Sequence, residues 1–424
     1  MSRTAIKAWL LAVLVSGAAG PVAAGDPPPL PVAKASSGAV PPTAPPAATA
    51  AAPQLDARAW ALIDARNGEV LASHAASRRL PIASTTKMMT AYVALQELPL
   101  GKMVRAAPYS PIYGESLLGL RSGQRISVRD LLYGLILRSG NDAAYDLALA
   151  AAGSEAHFVR QMNMRAAALG LADTHYANPI GLDERGNHSS AADLTTLGRR
   201  LLAIPAFAKI AASRSATLRS LHPPRRIATR NDLLLRESWA TGIKTGHTFD
   251  AGYVLAGSGK RKGVQLISAV IGVPTETERD LETLRLLDYG FSLYRERVPI
   301  QAGEDLANPT IRYAGGKLPL RAERSVATGV RQGERLSVIV RAPNEVEGPI
   351  RRGTVLGRAF VLLDNVQVAS VPLRAGRSIP AAGAFDRVRA FLGNGAIPIA
   401  LALFVILIGA GLLWRFASRG RRRH

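Results

Sequence analysis

Apolar residues recur with a helical period over residues 80–95, "LPIASTTKMMTAYVAL", and two polar residues stand at the head of this run. Ser84 and Lys87 are three residues apart, so both side chains would share one helix face, while Ala91 and Leu95 continue the apolar pattern below them. The pattern predicts a buried helix that begins with a hydroxyl and an amine. This pair is the first candidate for chemistry in the chain.

A second apolar region predicts two buried helices separated by a polar break. Ser127 and Asp130 have the spacing of a capping box, which would start the first helix. The break itself is Ser139-Gly140-Asn141. We therefore expect Ser139 and Asn141 to lie on a short loop between two buried helices.

Strand patterns occur at both ends of the same region. A hairpin turn is predicted at residues 67–68, and residues 251–273 predict a strand pair joined by a polar turn. Lys244-Thr245-Gly246 comes just before this strand pair. An edge strand there would offer backbone groups, and the glycine would admit a ligand closely.

Composition divides the chain into segments. With 424 residues, 48% hydrophobic and 20% charged, it has room for two or three domains with an ordinary core. Helix and strand patterns mix over residues 55–297, which indicates one α+β or α/β domain. Short strands separated by Gly, Pro and Asn over residues 298–380 predict a small all-β domain. Residues 25–54 are rich in Pro and Ala and are expected to be a linker.

The two ends predict export and membrane anchoring. Residues 1–24 have a basic start and an apolar centre, as in a secretory signal, so the mature chain should begin at Gly25; an uncleaved anchor is the alternative. Residues 396–414 are an uncharged apolar run, about 28 Å long as a helix, followed by a basic tail over 415–424. We expect a transmembrane helix, with the tail in the cytoplasm and the catalytic region on the periplasmic or extracytoplasmic side. A surface amphipathic helix would need a polar face, which this run lacks.

The charge of the chain favours an anionic partner. The formal net charge is +22, and removing two basic residues of the signal and five of the tail, with no acids in either, leaves +15. The predicted export of the chain argues against nucleic acid as that partner. The chain has no Cys, so it must be stable without disulfides, and it shows no clustered His or metal-ligand spacing. We therefore expect no metal and no cofactor.

Each polar cluster has an ordinary explanation when it is taken alone, because Ser-x-x-Lys and Ser-x-Asn also arise by chance. Their order is more specific. Ser-x-x-Lys heading a helix, Ser-Gly-Asn between helices and Lys-Thr-Gly before a strand form the signature set of the penicillin-recognising serine acyltransferases. Moreover, only 9 of the 53 basic residues are Lys, yet both motif cations are Lys, as a titratable amine requires.

More of the chain resembles one branch of that superfamily, the D-alanyl-D-alanine carboxypeptidases among the low-molecular-mass penicillin-binding proteins. The similar segments include "PIASTTKMMTAYVAL", "DLLYGLILRSGNDAAYDLA" and "GIKTGHT", and the resemblance covers about residues 56–295. The following β region resembles the C-terminal domain of that family. The implied fold class is α+β: a β-lactamase/transpeptidase-like domain, a small all-β domain and, in this chain, a C-terminal transmembrane helix.

The physical chemistry of the first motif suggests its roles. Ser84 can attack a carbonyl only if its proton is removed, and a desolvated Lys87 one turn later could accept that proton as general base. The resemblance implies that Ser139 relays a proton toward the leaving amine and that Asn141 contacts Lys87 and the substrate amide. It also implies that the backbone N–H groups of Ser84 and His247 form the oxyanion hole, the His247 side chain not being required.

Other residues would bind the end of the substrate. Lys244 and Thr245 offer a cation and a hydroxyl to a terminal carboxylate, and Gly246 leaves room for close approach. Arg279 is a further candidate for the carboxylate because of its position beyond the strand pair, with an ordinary surface cation as the alternative.

The motifs and the predicted address favour a serine D-alanyl-D-alanine carboxypeptidase that removes the terminal D-alanine of peptidoglycan stem peptides through an acyl-enzyme on Ser84. β-Lactams would be covalent inhibitors. A DD-endopeptidase acting on crosslinks is the main alternative. A β-lactamase would be expected to carry a Glu-x-x-Leu-Asn type segment, and Glu155, Glu184 and Glu237 have no such setting. A non-catalytic wall-binding protein would be expected to have lost a motif residue, and none is missing.

Overall fold

The computed structural model describes residues 51–384, 386–387, 404–411 and 414. The predicted signal peptide, the predicted basic tail and all but the last four residues of the predicted linker therefore lie outside the described residues.

Residues 51–380 contain eight α-helices and eighteen β-strands. The helices are α1 (Lys87–Glu97), α2 (Val128–Leu137), α3 (Asn141–Ala152), α4 (Glu155–Ala168), α5 (Ala191–Leu202), α6 (Pro205–Ala211), α7 (Asp232–Arg236) and α8 (Glu276–Ser292). The strands are β1 (Ala59–Asp64), β2 (Val70–His74), β3 (Met103–Arg105), β4 (Arg125–Ser127), β5 (Ser215–Leu218), β6 (Arg225–Ala228), β7 (Ala240–Thr248), β8 (Gly252–Arg261), β9 (Val264–Val273), β10 (Tyr294–Ile300), β11 (Asp305–Ala307), β12 (Thr310–Ile311), β13 (Leu320–Ala322), β14 (Val326–Arg331), β15 (Leu336–Arg341), β16 (Glu345–Val346), β17 (Val355–Leu363) and β18 (Val366–Ala375).

A five-stranded antiparallel sheet in the order β2-β1-β9-β8-β7 forms the middle layer of the larger region. The predicted hairpin joins β1 to β2, and the predicted strand pair is β8 and β9. Both predictions are confirmed. Helices and sheet are combined in one unit with antiparallel pairing, which confirms the α+β class.

The two faces of this sheet are buried against different helices. Trp60 and Leu62 of β1 pack with Leu286 and Leu287 of α8, whereas Ile63 belongs to the larger cluster formed with α1 to α6. Because side chains alternate along a strand, a short apolar strand such as β1 can serve both layers. The result is a three-layer arrangement, with α8 on one face of the sheet and the larger group of helices α1 to α6 on the other.

The polar motifs occupy the junctions of these elements. Ala83–Thr86 forms a 3-10 turn that leads directly into α1, and this turn lies against β7. The Ser127 hydroxyl accepts a hydrogen bond from the backbone N–H of Asp130 at 3.2 Å, so the predicted cap of α2 is confirmed. As expected, the Lys-Thr-Gly motif comes just before the β8–β9 pair, and it lies within β7, an edge strand of the sheet.

The C-terminal β region has a hydrophobic core of its own. A five-stranded antiparallel sheet in the order β11-β13-β18-β17-β15 carries most of it, with β10 pairing to β14 beside it. A buried ion network connects this region to the first sheet: Asp64 accepts hydrogen bonds from Arg66 and from Tyr294 Oη, and Arg66 also pairs with Glu334.

The predicted transmembrane helix over residues 396–414 needs correction. Among the residues that the structure describes, no helix is long and apolar enough to cross a membrane. Within the predicted span, residues 404–411 are described as helical. The remaining residues of that span, apart from 414, lie outside the described residues.

Candidate active site

The structure brings Ser84 and Lys87 into direct contact. Lys87 Nζ donates to Ser84 Oγ at 2.8 Å and also to the backbone carbonyl of Ile180. The lysine is fully buried, whereas Ser84 is partly exposed and can meet a substrate. The spacing of three residues therefore places a partly exposed hydroxyl in contact with a buried amine.

Burial lowers the pKa of Lys87 to about 7, and the nearby carboxylates of Glu115 and Asp142 limit this decrease. An amine with such a pKa is about half neutral near pH 7. Its free lone pair can then accept the Ser84 proton across the same contact, which makes the oxygen nucleophilic. The pair can support nucleophilic attack on a carbonyl.

The second motif lies at the junction of α2 and α3, next to this pair. Ser139 is buried and has a φ of +60°, a left-handed conformation that is uncommon for a residue other than glycine. Asn141 is the first residue of α3, and its Nδ2 donates to Glu115 Oε2 at 2.7 Å. Its Oδ1 is buried without a hydrogen-bond partner. The expected contact of Asn141 with Lys87 is not among the hydrogen bonds of the described residues.

The third motif adds a second buried amine. Lys244 is 1% exposed, and its Nζ donates to the carbonyl of Thr245 at 2.6 Å. Burial lowers the pKa of Lys244 well below its usual range, and the positive charges of Lys87, Arg230 and Arg279 lower it further. The side chains of two motifs that are far apart in the sequence are therefore close enough to affect each other's protonation.

Arg279 lies on α8 and is only 2% exposed, so the surface-cation interpretation was wrong. Its guanidinium donates to Asp280 through Nε at 2.9 Å and through a terminal nitrogen at 2.8 Å, and the other terminal nitrogen donates to Glu276 at 3.1 Å. All three nitrogens are thus engaged with the protein's own carboxylates. Arg279 acts on the site through its positive charge, which contributes to lowering the pKa of Lys244.

Gly246 allows β7 to lie against the turn that carries Ser84. A Cβ atom at this position would be 3.0 Å from the Ser84 backbone nitrogen and 3.1 Å from the Ile82 carbonyl oxygen. The next residue, His247, is exposed, and its ring stacks on Tyr253 with centroids 4.0 Å apart. The backbone of β7 thus lies directly against the backbone of the turn that carries Ser84. The His247 side chain packs on Tyr253.

Gly246→Ala should lower the rate of Ser84 acylation by about tenfold, because the added methyl forces the turn bearing the nucleophile to shift by a few tenths of an ångström. Gly101→Ala is the matched control, since a Cβ there meets nothing within 4 Å. Stopped-flow acylation by a chromogenic β-lactam measures both variants. Equal rates for Gly246→Ala and wild type would show that the close approach is unimportant.

Sequence reasoning missed Glu115. Its carboxylate accepts hydrogen bonds from Tyr109 Oη, from the Ile112 backbone N–H at 2.9 Å and from Asn141 Nδ2. It lies in an irregular segment between β3 and β4, where no periodicity marks a functional position. The spacing of charges along the chain holds no signal that could have found it.

Within the described residues, no group of three or more His, Cys, Asp or Glu side chains is arranged to hold a metal ion.

Comparison with known proteins supports one family. A model of the D-alanyl-D-alanine carboxypeptidase family matches residues 46–275, more than half of the chain. The chain is 33% identical over 354 residues to D-alanyl-D-alanine carboxypeptidase DacA of Escherichia coli strain K12, covering 79% of this chain and 87% of that protein. It is 36% identical over 256 residues to D-alanyl-D-alanine carboxypeptidase DacB2 of Mycobacterium tuberculosis strain H37Rv, covering 58% and 87%.

A solved structure shows the same architecture. Penicillin binding protein 5 from Haemophilus influenzae matches with a TM-score of 0.54 and 29% sequence identity, over 77% of this chain and 98% of that chain. The match extends well beyond the residues of the family model, so the C-terminal β region is part of the similarity.

Proposed function

Because the chain belongs to the D-alanyl-D-alanine carboxypeptidase family of penicillin-binding serine hydrolases, we propose that it removes the terminal D-alanine of peptidoglycan stem peptides through an acyl-enzyme on Ser84. The observation that carries the assignment of roles is the 2.8 Å contact between Ser84 Oγ and a fully buried Lys87. It provides a nucleophile and a base that can be neutral at working pH.

Acylation proceeds in two steps. Neutral Lys87 takes the proton of Ser84 as Oγ attacks the carbonyl of the terminal peptide bond. The backbone N–H groups of Ser84 and His247 stabilise the oxyanion that forms. The tetrahedral intermediate collapses when the C–N bond breaks. Ser139 donates its proton to the departing amine of D-alanine and takes one from protonated Lys87, so both groups return to their starting forms. Water then hydrolyses the ester.

Lys244 and Thr245 receive the substrate's terminal carboxylate. A carboxylate beside the amine favours protonated Lys244, which offsets the effect of burial on its pKa. Thr245 adds a hydroxyl, and Gly246 lets this part of β7 lie close to the turn that carries Ser84. A penicillin presents a carboxylate and an amide carbonyl in a similar arrangement, so it acylates the same serine.

Digestion of purified muropeptides tests this function. Mass spectrometry should show pentapeptide stems losing one alanine, whereas cleavage of crosslinked dimers into monomers would identify a DD-endopeptidase instead. Intact-protein mass spectrometry with penicillin distinguishes these two peptidases from a β-lactamase. In a peptidase the opened β-lactam keeps its amine tethered near the ester, which hinders the access of water. A stable adduct on one serine is expected. Rapid return to the unmodified mass with consumption of many equivalents of penicillin would indicate a β-lactamase.

We also propose that the chain is exported. Its N-terminal segment has the composition of a signal peptide, and its proposed substrate is a wall polymer. The remaining charge of +15, after the signal and the basic tail are subtracted from +22, suits an anionic polymer. N-terminal sequencing of the mature protein should begin at Gly25; an intact Met1 would instead indicate the uncleaved anchor.

A further inference from the structure

Glu115 lies among the active-site side chains although it belongs to none of the three motifs. Its Oε2 accepts hydrogen bonds from Asn141 Nδ2 at 2.7 Å and from Tyr109 Oη, and its Oε1 accepts from the backbone N–H of Ile112 at 2.9 Å. Three donors from two parts of the chain thus fix one carboxylate. A side chain held in this way can in turn hold its neighbours.

The neighbour most affected is Asn141. A carboxamide has two donor hydrogens on nitrogen and one acceptor oxygen, so anchoring Nδ2 determines where Oδ1 lies. Asn141 Oδ1 is buried and has no hydrogen-bond partner. Buried polar atoms without a partner are uncommon in proteins, and in an active site such an atom is available to a ligand. The donor that suits it is an amide N–H of a bound peptide.

The charge of Glu115 also acts on the catalytic amine. Burial would raise the pKa of Glu115, but hydrogen bonds from Tyr109 and Asn141 outweigh it and lower that pKa overall, so the carboxylate is ionised at neutral pH. Its negative charge favours protonated Lys87.

Glu115 is not the sole charge that faces Lys87. The carboxylate of Asp142, on α3, acts in the same direction as Glu115, and Lys244 on β7 is close enough to interact with Lys87 as a like charge. Asp142 is fixed separately, because it accepts hydrogen bonds from the backbone N–H groups of residues 118–120. Removing Glu115 therefore changes one charge and leaves the other two in place.

We propose that Glu115 is a positioning residue of this active site: it holds Asn141 through Nδ2 so that Oδ1 accepts the substrate's amide N–H. The charge of the same carboxylate favours the protonated form of Lys87. The inference rests on the carboxypeptidase function proposed above, and it adds a residue that sets both substrate orientation and the pH range of acylation.

Glu115→Gln and Glu115→Ala separate the two effects. Glutamine keeps an acceptor for Asn141 but has no charge, so kcat/KM for D-alanine release at high pH should remain within about threefold of wild type. Alanine removes the acceptor too, and kcat/KM should fall by about tenfold. In both variants the acidic limb of the acylation profile should move to lower pH, by on the order of half a unit, because Lys87 loses its proton more readily.

Glu97→Gln is the matched control. It removes the same charge at the far end of α1, about 15 Å from Lys87 along the helix, where Glu97 forms an exposed pair with Arg165. It should leave the profile unchanged.

If wild type releases D-alanine but both Glu115 variants keep an unshifted acidic limb, Glu115 only stabilises its own loop and the inference is overturned. It is also overturned if Glu115→Ala keeps wild-type kcat/KM. Failure of wild type to release D-alanine would refute the proposed function instead. Melting curves show whether each variant folds; if alanine does not, the shift in Glu115→Gln remains decisive.

Discussion

Replacement of Ser84 by alanine is expected to abolish D-alanine release and covalent labelling by a fluorescent penicillin. The hydroxyl is the proposed nucleophile, and the adjacent threonines do not replace it: Thr85 and Thr86 are buried, and the Thr85 hydroxyl donates to the Ile82 carbonyl at 2.6 Å. The loss should reach about 10⁴-fold or more in kcat, as for other removed nucleophiles. Gel fluorescence and release of free D-alanine measure the two activities.

Ser213→Ala is a suitable control for this variant. Ser213 is a serine whose hydroxyl donates to the Lys209 carbonyl at 2.7 Å near the end of α6, outside all three motifs. It should label normally. Persistent labelling of Ser84→Ala at the wild-type rate would place the nucleophile elsewhere.

Lys87→Arg should be nearly as damaging, with acylation slowed by about 10³-fold. Arginine does not lose its proton in proteins, so it cannot accept the Ser84 proton. In the wild type, the pKa of Lys87 is about 7, so the basic, neutral form increases as the pH rises through 7. Wild-type acylation should therefore increase from acidic pH to a plateau above about pH 8.

The measurement is the second-order rate of acylation by a penicillin between about pH 5 and about pH 9. Lys209→Arg makes the same chemical change at an exposed position on α6 and should match the wild type. Acylation of Lys87→Arg within a few-fold of the wild type would show that Lys87 has a structural role and that another group removes the proton.

The sequence was most informative where function coincides with a regular element. Ser84 and Lys87 follow helical spacing, and Ser127 caps its helix as expected, because local hydrogen bonding alone decides both. The strand pair of residues 251–273 could be predicted because apolar residues are frequent in both strands. In contrast, β7 has the sequence "ATGIKTGHT", whose glycines and polar residues give no strand pattern. Its position before the strand pair was the indication of an edge strand, and pairing with β8 holds it.

Tertiary contacts decide what the sequence could not. Arg279 has the spacing of an ordinary helix cation and pairs with Glu276 and Asp280 of its own helix, but it is buried on a helix that packs against β8 and β9. Glu115 reaches Asn141 from an irregular segment 26 residues earlier, and no local pattern encodes that approach. Such residues become visible only when the fold brings separate segments together.

The edge position of β7 also bears on self-association. An unpaired strand edge can pair with another protein molecule, and proteins commonly protect such edges by covering them, whereas an active site must leave its edge open to the substrate. Here the strand is irregular, with a register shift between Ala240 and Gly242, and it carries Lys244 in its centre. Bulges and inward-pointing charges are the features that discourage edge-to-edge aggregation. The lysine proposed to bind the substrate's carboxylate is therefore also a feature that makes this edge a poor template for pairing with another molecule.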